Sequence, residues 1–445
     1  MFSEQFSIQD LIDNGLIIAH KDGNYGSNYP KKSEFNDHGV LFLTAKNLDD
    51  SGNIDFSSAQ RLNVEKAKEL TFGYIESGDV LLSHNATVGR VALVPDLDEP
   101  VLIGTSLTYF RINDNELNPR YFAGFLSSRD FQNQLKAVMS FSTRNQVPIT
   151  LQRILNVSLP ALDEQKKMSD FISSFEHKLE LNQKMNKILE KIAKTLFKSW
   201  FIDFDPVRAK AEGRPTGLSK EISDLFPDSF EDSELGEIPK GWRIESFSNI
   251  TSFKNGFAFK SKDWTESGKP VVKIGNVKPL ILDIDGCSFI SDDIKKYDEY
   301  LLSKGDILIG MTGYVGETCL VPKLDKMPYQ NQRVGKLIPT KDFFKEFIFS
   351  FTRQSNFKKK VEEIAKGSAQ QNVSGKDILG LHFVFGNEEI LKIFSDSTSD
   401  LFKKILLNFE ENITLAKVRD TLLPKLISGE LKILDAENLI EEAGI

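Results

Sequence analysis

The sequence has few of the residues from which metal centres and disulfide frameworks are built. It contains two cysteines, Cys287 and Cys319, and five histidines in 445 residues. Two cysteines supply neither a set of bridges nor a ligand set, so we expect both to be small core residues in a reducing cytoplasm. The histidines are scattered without metal-ligand spacing, and we expect His177 to be a solvated helix residue.

Long apolar runs and catalytic motifs are also absent from the sequence. No run of about 18 apolar residues is present, which excludes a transmembrane helix, and the first residues are acidic where a signal peptide is basic. Phosphate-binding and dinucleotide-binding glycine motifs are missing, as is the Asn/Asp-Pro-Pro-Tyr motif of amino-methyltransferases. The Glu-x-Lys triplets at 164–166 and 176–178 fall in a helical pattern instead of the strand that a nuclease requires. We therefore expect a cytoplasmic protein that is not an enzyme by itself.

The chain lacks an excess of positive charge, which at first argues against nucleic acid as a partner. Its net charge is −8, from 56 basic and 64 acidic residues. Residues 207–238 (four basic, eight acidic) and 430–445 (one basic, five acidic) contribute −4 each, so the remainder is balanced. Because phosphate attraction depends on local charge, a balanced body can still present a basic face to DNA.

Residues 163–206 have the heptad pattern of a long helix. Apolar residues recur at alternating steps of four and three, with two asparagines at the middle of the pattern. This seam consists of Met168, Ile172, Phe175, Leu179, Asn182, Asn186, Leu189, Ala193, Leu196 and Trp200. Such a stripe buries one side of a helix against a partner helix. At ~1.5 Å per residue the seam is on the order of 50 Å long, which is too long for the core of a compact domain.

The same seam occurs again 226 residues further along the chain. Its second copy is Phe394, Thr398, Leu401, Ile405, Asn408, Asn412, Leu415, Arg419, Leu422 and Leu426. An asparagine in an apolar seam needs a hydrogen-bonding partner, and it thereby fixes the register of the helix pair at a cost in stability. If the two helices pack antiparallel, we expect Asn182 to face Asn412 and Asn186 to face Asn408. The alternative is a pair of exposed helix faces on which the asparagines fall by chance.

A second apolar stripe runs beside the first seam. It consists of Phe171, Met185, Ile188, Ile192, Phe197 and Phe201. We expect the ends of this stripe to pack on the neighbouring domains. An apolar stripe that stays exposed at its middle is typical of a surface that binds another protein.

The segments that precede the two helices are copies of one α/β domain. Residues 78–96, GDVLLSHNATVGRVALVPD, match residues 305–323, GDILIGMTGYVGETCLVPK, at eight of nineteen positions. The pattern is a turn, a buried strand, a glycine and a second strand closed by proline. An upstream strand (40–48 and 269–277) and a downstream aromatic helix recur as well. We expect these residues to form the core of each copy.

Polar side chains cluster on the loops of both copies. Arginine can bridge the major-groove edge of guanine and asparagine or glutamine that of adenine, whereas lysine suits phosphates. The candidate DNA contacts of the first copy are Lys21, Asn24, Tyr25, Tyr29, Lys31, Lys32, Arg144, Asn145 and Gln146. Those of the second copy are Lys254, Asn255, Lys260, Lys262, Asn331, Gln332, Arg333, Gln370, Gln371 and Asn372. The alternative is that they are ordinary polar loop residues.

Three further motifs carry a resemblance to a known family. They are TLFKSWFIDFDPVRAKAEGRPTGL at 195–218, DSELGEIPKGW at 232–242 and RDTLLPKLISGEL at 419–431. These motifs resemble the central, second-domain and C-terminal motifs of the specificity subunits of type I restriction–modification systems. Together with the repeat, the resemblance covers nearly the whole chain.

The resemblance implies an α/β fold class with a particular layout. Two repeated α/β target-recognition domains are separated by two long antiparallel coiled-coil helices, in a pseudo-twofold arrangement. The implied order is a first recognition domain at 1–160, a first spacer helix at 161–206, a surface linker at 207–240, a second recognition domain at 241–385, a second spacer helix at 386–431 and an acidic tail at 432–445.

The resemblance also implies the partners. Such a subunit binds double-stranded DNA and directs two modification (methyltransferase) subunits and the restriction (endonuclease) subunits to their sequence, without chemistry of its own. This chain would then hold no cofactor and no metal, and S-adenosylmethionine, ATP and Mg²⁺ would act in the partner subunits. We expect the middle of the second apolar stripe to dock the modification subunits.

Two domains on a helical spacer predict a DNA target in two parts. A helix of ~50 Å corresponds to roughly 15 base pairs, and contacts at the inner sides of the domains shorten that span to an unread stretch of several base pairs. Because the two copies differ outside their scaffold, the target should be asymmetric. A different class of function is a two-domain scaffold that assembles proteins without reading DNA. A third, a self-sufficient nuclease or methyltransferase, requires activity from the purified chain alone.

Overall fold

The structure of the protein is a computed structural model that describes residues 4–50, 52–139, 145–284, 286–292, 297–365, 372–427 and 429–443. The chain divides into two units. The first unit is Met1–His177 with Leu415–Ile445, and the second is Lys178–Thr414. None of the helices described over these ranges is long and apolar enough to cross a membrane.

Most strands of the first unit recur in the same order in the second. In the first they are β1 (Glu4–Ser7), β2 (Ile17–Asp22), β3 (Phe35–Asn36), β4 (Val40–Leu43), β5 (Gln60–Leu62), β6 (Tyr74–Ile75), β7 (Val80–Ser83), β8 (Val91–Leu93), β9 (Val101–Ile103), β10 (Leu107–Ile112) and β11 (Asn156–Leu159). In the second they are β12 (Phe230–Ser233), β13 (Gly236–Pro239), β14 (Arg243–Ser246), β15 (Thr251–Asn255), β16 (Trp264–Thr265), β17 (Lys269–Val272), β18 (Leu280–Ile281), β19 (Ser288–Ile290), β20 (Ile307–Gly310), β21 (Thr318–Leu320), β22 (Tyr329–Gln330), β23 (Val334–Pro339) and β24 (His382–Phe385).

The α-helices include two that are far longer than the rest. They are α1 (Ile8–Asp13), α2 (Val64–Glu69), α3 (Pro119–Ser127), α4 (Arg129–Met139), α5 (Ile149–Gln152), α6 (Leu162–Phe201), α7 (Asp205–Ala211), α8 (Lys220–Ser223), α9 (Lys345–Thr352), α10 (Ser355–Ala365), α11 (Gly375–Leu379), α12 (Glu388–Ile427) and α13 (Ile433–Ala443). Helices α6 and α12 have 40 residues each and begin and end within a few residues of the predicted spacer helices.

The first domain packs one sheet between a helical layer and a second sheet. The first sheet has the strand order β2-β10-β7-β8, and the second has β3-β5-β4-β9-β6, in which β4 and β9 run parallel. Side chains of β7 alternate between the two sides, as the period of a strand requires. Val80 and Leu82 pack with Phe122 of α3, whereas Leu81 packs with Ile103 of the second sheet. The strand is therefore buried on both faces.

The second domain repeats this architecture. Its sheets have the orders β15-β23-β20-β21-β18 and β16-β19-β17-β22, and β17 and β22 run parallel as β4 and β9 do. In β20, Ile307 and Ile309 pack toward Phe347 of α9, while Leu308 packs with Val334 on the other side. The predicted repeat of an α/β domain is confirmed. Cys319 lies in this second layer, and both cysteines are buried as predicted.

The two long helices pack antiparallel. Within the second unit the Asn182 Nδ2 donates to Asn412 Oδ1 at 2.9 Å, and the Asn408 Nδ2 donates to Asn186 Oδ1 at 2.8 Å. These are the two pairs expected for antiparallel packing. Their asparagines occur in opposite order along the two helices. Asn182, Asn186 and Asn408 are buried, and each pair forms one amide–amide hydrogen bond inside the seam. The buried Asn408 Oδ1 accepts no hydrogen bond from the described residues.

The second apolar stripe divides as expected. Phe197 and Phe201 are buried in the core of the second domain, where both rings contact Phe347. Ile188 and Ile192, by contrast, are 59% and 48% exposed. The middle of the stripe is therefore an apolar surface on α6.

The segment predicted to be a surface linker, residues 207–240, is instead part of the second unit's core. It folds into α7, α8 and the hairpin β12–β13, and Val207 and Phe226 are fully buried. Phe226 contacts Trp200 and Trp242 at ring-centroid distances of 5.3 and 6.1 Å. Its apolar residues are few and far apart, but Val207 and Phe226 join the core that contains Trp200 at the C-terminal end of α6.

The segment predicted to be an acidic tail also differs from expectation. Residues 433–443 form α13, whose Ala436 is fully buried beside Leu422 and Leu426 of α12 in the first unit. Ile433 and Ile440 pack against the same cluster. Its acidic residues therefore belong to the outer face of an amphipathic helix.

Candidate nucleic-acid interface

In the first domain, the loop after β7 supports the end of a predicted contact loop. Asn85 and Gln146 form an isolated antiparallel bridge, and the Ala86 N–H donates to the Asn145 carbonyl at 3.1 Å. Asn145 is exposed and Gln146 is half-buried. Main-chain bonds therefore hold this loop, and the Asn145 side chain remains accessible.

The second domain contains the same arrangement. Thr312 and Asn372 form the equivalent antiparallel bridge, and the Val373 N–H donates to the Met311 carbonyl at 3.0 Å. The Thr312 hydroxyl also donates to Asn372 Oδ1 at 2.9 Å. Because this bond orients the amide of an exposed asparagine, Asn372 is presented in a defined direction.

Both supporting loops pass through the left-handed backbone region at the same repeat position. Ala86 has φ +65°, and Gly313, its counterpart, has φ +73°. For a residue with a Cβ this conformation costs roughly 1–2 kcal/mol, so the first domain retains a strained turn where the second uses glycine. The loop shape is thus preserved although its residues change.

The cluster Asn331 to Arg333 is hydrogen-bonded to the same supporting loop of the second domain. The Met311 N–H donates to the Arg333 carbonyl at 3.1 Å, and the Gln332 N–H donates to the Phe257 carbonyl at 2.9 Å. Gln332 and Arg333 are exposed. Two clusters that are far apart in the sequence, 331–333 and 372, therefore meet through the loop at 311–312.

Glycine is required where the N-terminal loop crosses this cluster. A Cβ on Gly256 would lie 2.2 Å from the Asn331 carbonyl oxygen. The preceding residue, Asn255, is exposed and lines an open groove of about 700 Å³ with Phe253, Met311 and Lys376. The groove brings a third predicted cluster next to the other two.

The predicted lysines of the second domain differ in how exposed they are. Lys254 is half-buried, donates to the Glu299 carbonyl and lies 5.3 Å from the Tyr300 ring centroid. Its ammonium group is therefore already engaged inside the domain. Lys260 and Lys262 are exposed on the turn that precedes β16.

Tyr25 is a correction to the predicted contact set. Its side chain is 7% exposed, and its hydroxyl donates to the Ile103 carbonyl at 2.7 Å. Burial raises the pKa of the Tyr25 hydroxyl. Tyr25 is therefore a core residue and is unavailable to DNA. Tyr29 is half-buried beside Phe42, with ring centroids 6.2 Å apart, and burial raises its pKa too.

The other predicted contacts of this N-terminal region are exposed. Lys21 leaves β2 with its Nζ 5.7 Å from the Phe72 ring centroid, and Asn24 closes a tight turn by accepting from the Gly26 N–H at 3.1 Å. Lys31 and Lys32 lie on the turn before β3. Arg144, Gln370 and Gln371 lie outside the described residues.

The structure adds Tyr314 and the neighbouring Lys278 to the residues at this interface. Tyr314 is 56% exposed at the tip of the supporting loop, and the Lys278 Nζ lies 5.2 Å from its ring centroid. The sequence repeat could have indicated Tyr314. Thr87 and Tyr314 occupy one position of an otherwise similar strand–loop–strand segment, so the two domains differ at the tip of this loop.

Two buried histidines lie behind the interface of the first domain. The His20 ring stacks on Phe110 with centroids 4.2 Å apart, and its Nε2 is 3.1 Å from Gln152 Oε1. Burial lowers the pKa of His20 to about 3, against the opposing effect of the Gln152 hydrogen bond. Burial also lowers the pKa of His84. Both rings are therefore neutral structural groups near pH 7.

A half-buried charge network joins the second domain to α6. Arg353 binds Glu190 of α6 at 3.0 Å and also pairs with Glu317, which accepts from Lys358 at 2.9 Å. Burial raises the pKa of the Glu317 carboxyl, but the Lys358 hydrogen bond and the Arg353 charge outweigh it, so the net pKa is lowered. Across the described residues, no group of His, Cys, Asp and Glu side chains could hold a metal ion.

Comparison with known proteins identifies the family to which this chain belongs. The family model of the type I restriction modification DNA specificity domain matches the chain twice, at residues 29–191 and 239–411. The chain belongs to this family of type I restriction–modification specificity subunits.

Individual relatives agree with this assignment over most of their length. The chain is 26% identical to the HindI specificity subunit of Haemophilus influenzae, over 92% of this chain and 98% of that protein. It is also 26% identical to the MjaIX specificity subunit of Methanocaldococcus jannaschii, over 88% and 87% respectively. The crystal structure of the type I S subunit from M. genitalium has the same fold, with a TM-score of 0.51 and 16% identity over 95% of both chains.

Proposed function

We propose that this chain reads a double-stranded DNA target in two parts, one with each repeated domain, and directs modification and restriction subunits to it. One observation carries the proposal. The same loop-to-loop bridge supports polar residues in both domains, between Asn85 and Gln146 and between Thr312 and Asn372, but the side chains differ. Because different side chains read different bases, the target is asymmetric, with an unread stretch between its parts.

The chemistry of each edge suits base recognition. Asn145 in the first domain and Gln332 in the second are exposed amides on loops held by main-chain hydrogen bonds. An amide of this kind can pair with both N6 and N7 of adenine. Arg333 can bridge a guanine, and exposed lysines such as Lys262 suit the phosphates.

The chain is proposed to be non-catalytic, with S-adenosylmethionine, ATP and Mg²⁺ used by its partners. Two of its perturbed titratable groups support this, because both already serve the fold. His20 is held neutral between Phe110 and Gln152, and the charge of Glu317 is matched by two cations. Purified chain incubated with DNA and these cofactors should give neither methylation nor cleavage.

The decisive experiment changes one exposed amide in each domain. Asn145→Ala and Gln332→Ala leave the main-chain bonds of their loops intact, so the fold should be unaffected. In the complex with modification subunits, we expect each variant to lose about 1–3 kcal/mol of discrimination at one base pair. Sequencing of methylated bases should place the relaxed position in one half-site for Asn145→Ala and in the other for Gln332→Ala.

Each variant is the control for the other. If both leave the methylated sequence unchanged, the alternative of a scaffold that does not read DNA is favoured. If both relax the same half-site, the assignment of one half-site to each domain is wrong.

The docking of modification subunits is proposed for the exposed middle of α6. Leu181, Ile188 and Ile192 are 44%, 59% and 48% exposed and follow one another at helical spacing. Leu407 of α12, the repeat counterpart of Leu181, is 51% exposed. Part of the surface is therefore present on both helices, which suits two copies of one partner.

A further inference from the structure

Five lysines share one face of α6. They recur at steps of three and four residues, which places them within one sector of a helix that turns about 100° per residue. They are Lys184, Lys187, Lys191, Lys194 and Lys198. Four are exposed and Lys194 is half-buried. We call this surface the lysine face; it is distinct from the seam and from the exposed apolar stripe.

Part of the charge on the lysine face is not neutralised locally. Lys184 pairs with Glu180 at 2.6 Å, Lys194 pairs with Glu190 at 2.8 Å, and Lys198 pairs with Asp203. Glu190 is shared with Arg353. In the part of the chain that the structure describes, Lys187 and Lys191 have no carboxylate partner. Two of the five lysines therefore keep a positive charge that no neighbouring carboxylate matches.

The lysine face is not required for pairing the long helices. Features that serve the helix pair, such as the seam asparagines, recur on α12. The positions of α12 that correspond to the lysine face are Glu410, Ile413, Lys417, Asp420 and Pro424. Only one of them is basic, so α12 does not repeat the lysine face. A function carried by one helix explains this asymmetry.

The lysine face adjoins the recognition domain in the second unit. Its lysines other than Lys184 line a groove of about 330 Å³ together with Glu190, Thr195 and Gln354. Gln354 immediately precedes α10, which packs on the loop carrying Tyr314, where a Cβ on Gly316 would lie 3.1 Å from Val361. Helix α10 is about 16 Å long at ~1.5 Å per residue, the rise of about five base pairs. The lysine face and the loop carrying Tyr314 are thus connected through α10, over a distance comparable to a few base pairs.

Resting on the proposed function, we propose that the lysine face of α6 binds the phosphate backbone of the target DNA beside the bases read by the second domain. Lysine ammonium groups are compact, mobile charges that attract phosphates without reading bases. The face therefore adds affinity and salt dependence to DNA binding, and it adds no sequence preference. An acidic surface of a partner subunit is the competing occupant, and the experiment separates the two.

The test replaces the two unpaired lysines with a helix-forming neutral residue. Lys187→Gln/Lys191→Gln is assembled with modification subunits, and DNA affinity is measured against KCl concentration on target and scrambled duplexes. Each lost phosphate contact lowers the slope of log K against log[KCl] by about 0.9, so we expect a decrease of about 1.8 on both duplexes. The ratio of the two affinities should not change.

The matched control removes two exposed charges elsewhere in the same unit. Lys220→Gln/Lys240→Gln should leave the slope as in the wild type. An unchanged slope in Lys187→Gln/Lys191→Gln would overturn the inference. So would loss of modification subunits in size-exclusion chromatography, which identifies a protein occupant, or a changed affinity ratio, which indicates base reading.

Failure of the proposed function has a different signature. If the wild-type complex binds target and scrambled duplexes equally, the chain does not supply specificity. The salt slope of the variant remains measurable on either duplex. An unchanged slope with normal sequence preference contradicts only the role of the lysine face.

Discussion

His20 shows how a single buried residue couples the first domain to pH. Its folded-state pKa of about 3 lies below the ordinary value of 6.5 because burial disfavours the charged ring, with the Arg153 charge acting in the same direction. As the pH falls below 6.5, the unfolded chain binds a proton that the folded chain does not. The stability contributed by neutral His20 is therefore present above that pH and is lost below it.

The prediction compares wild type with His20→Phe, which keeps a ring against Phe110 but cannot titrate. Between pH 7.5 and 5.0 the wild type should lose about 2 kcal/mol more than the variant, at ~1.4 kcal/mol per pH unit below 6.5. All three tryptophans, Trp200, Trp242 and Trp264, lie in the second unit. Hydrogen exchange of the β10 amides is therefore the suitable measurement, and an equal pH dependence in both proteins would contradict the prediction.

At the scale of elements, the paired asparagines determine how α6 and α12 align. Asn408→Leu alone removes the donor to Asn186 Oδ1, a buried acceptor, and should cost about 1–3 kcal/mol of unfolding free energy. Asn186→Leu/Asn408→Leu removes both partners and should restore the stability of the wild type, because an apolar pair needs no hydrogen bond. Urea unfolding followed by Trp200 fluorescence measures both.

Comparison of the double variant with the two single variants shows whether the two amides depend on each other for stability. Additive losses in the two single variants and the double variant would show that the amides do not depend on each other. Leu407→Asn, at an exposed position of α12, is the control and should change the unfolding free energy by less than about 0.5 kcal/mol.

At the scale of the whole molecule, assembly depends on the surface that the fold leaves uncovered. Ile188→Ser/Ile192→Ser should leave the isolated chain within about 0.5 kcal/mol of wild type, because both side chains are already largely exposed. Affinity for modification subunits should fall at least tenfold if each side chain contributes about 1 kcal/mol or more to the interface. Co-purification and titration calorimetry provide the measurement.

A matched variant controls for general loss of apolar surface. Val64→Ser/Leu434→Ser removes side chains that are 48% and 66% exposed in the first unit. It should bind modification subunits as the wild type does. Equal binding by both double variants would exclude the middle of α6 as the docking site.

Much of this architecture could be predicted because it follows from the spacing of residue types along the sequence. Helix length, the seam and the pairing of Asn182 with Asn412 follow from periodicity and from a constant offset of 226 residues. Repetition of the strand pattern likewise predicted two copies of one domain. Local spacing determines these features, so no knowledge of distant contacts was needed.

The candidate interface could be predicted only in part. Exposed amides such as Asn145 and Gln332 were identified by residue type, whereas Tyr25 was assigned to the surface and is buried. Tyr314 was not among the predicted contacts and is exposed. Tyrosine suits either environment, and its neighbours in the sequence do not decide which one it occupies.

The sequence by itself determined the family, the repeat, the long helices and, given antiparallel packing, their register, because each is a pattern of residue types at fixed spacing. Tertiary structure alone decided that Phe226 closes the core beside Trp200, that residues 433–443 pack as a helix, and that Arg353 ties Glu317 to α6. Burial and ion pairing depend on which distant segments meet in space. That information is contained in the packing of the whole fold and in no single stretch of the chain.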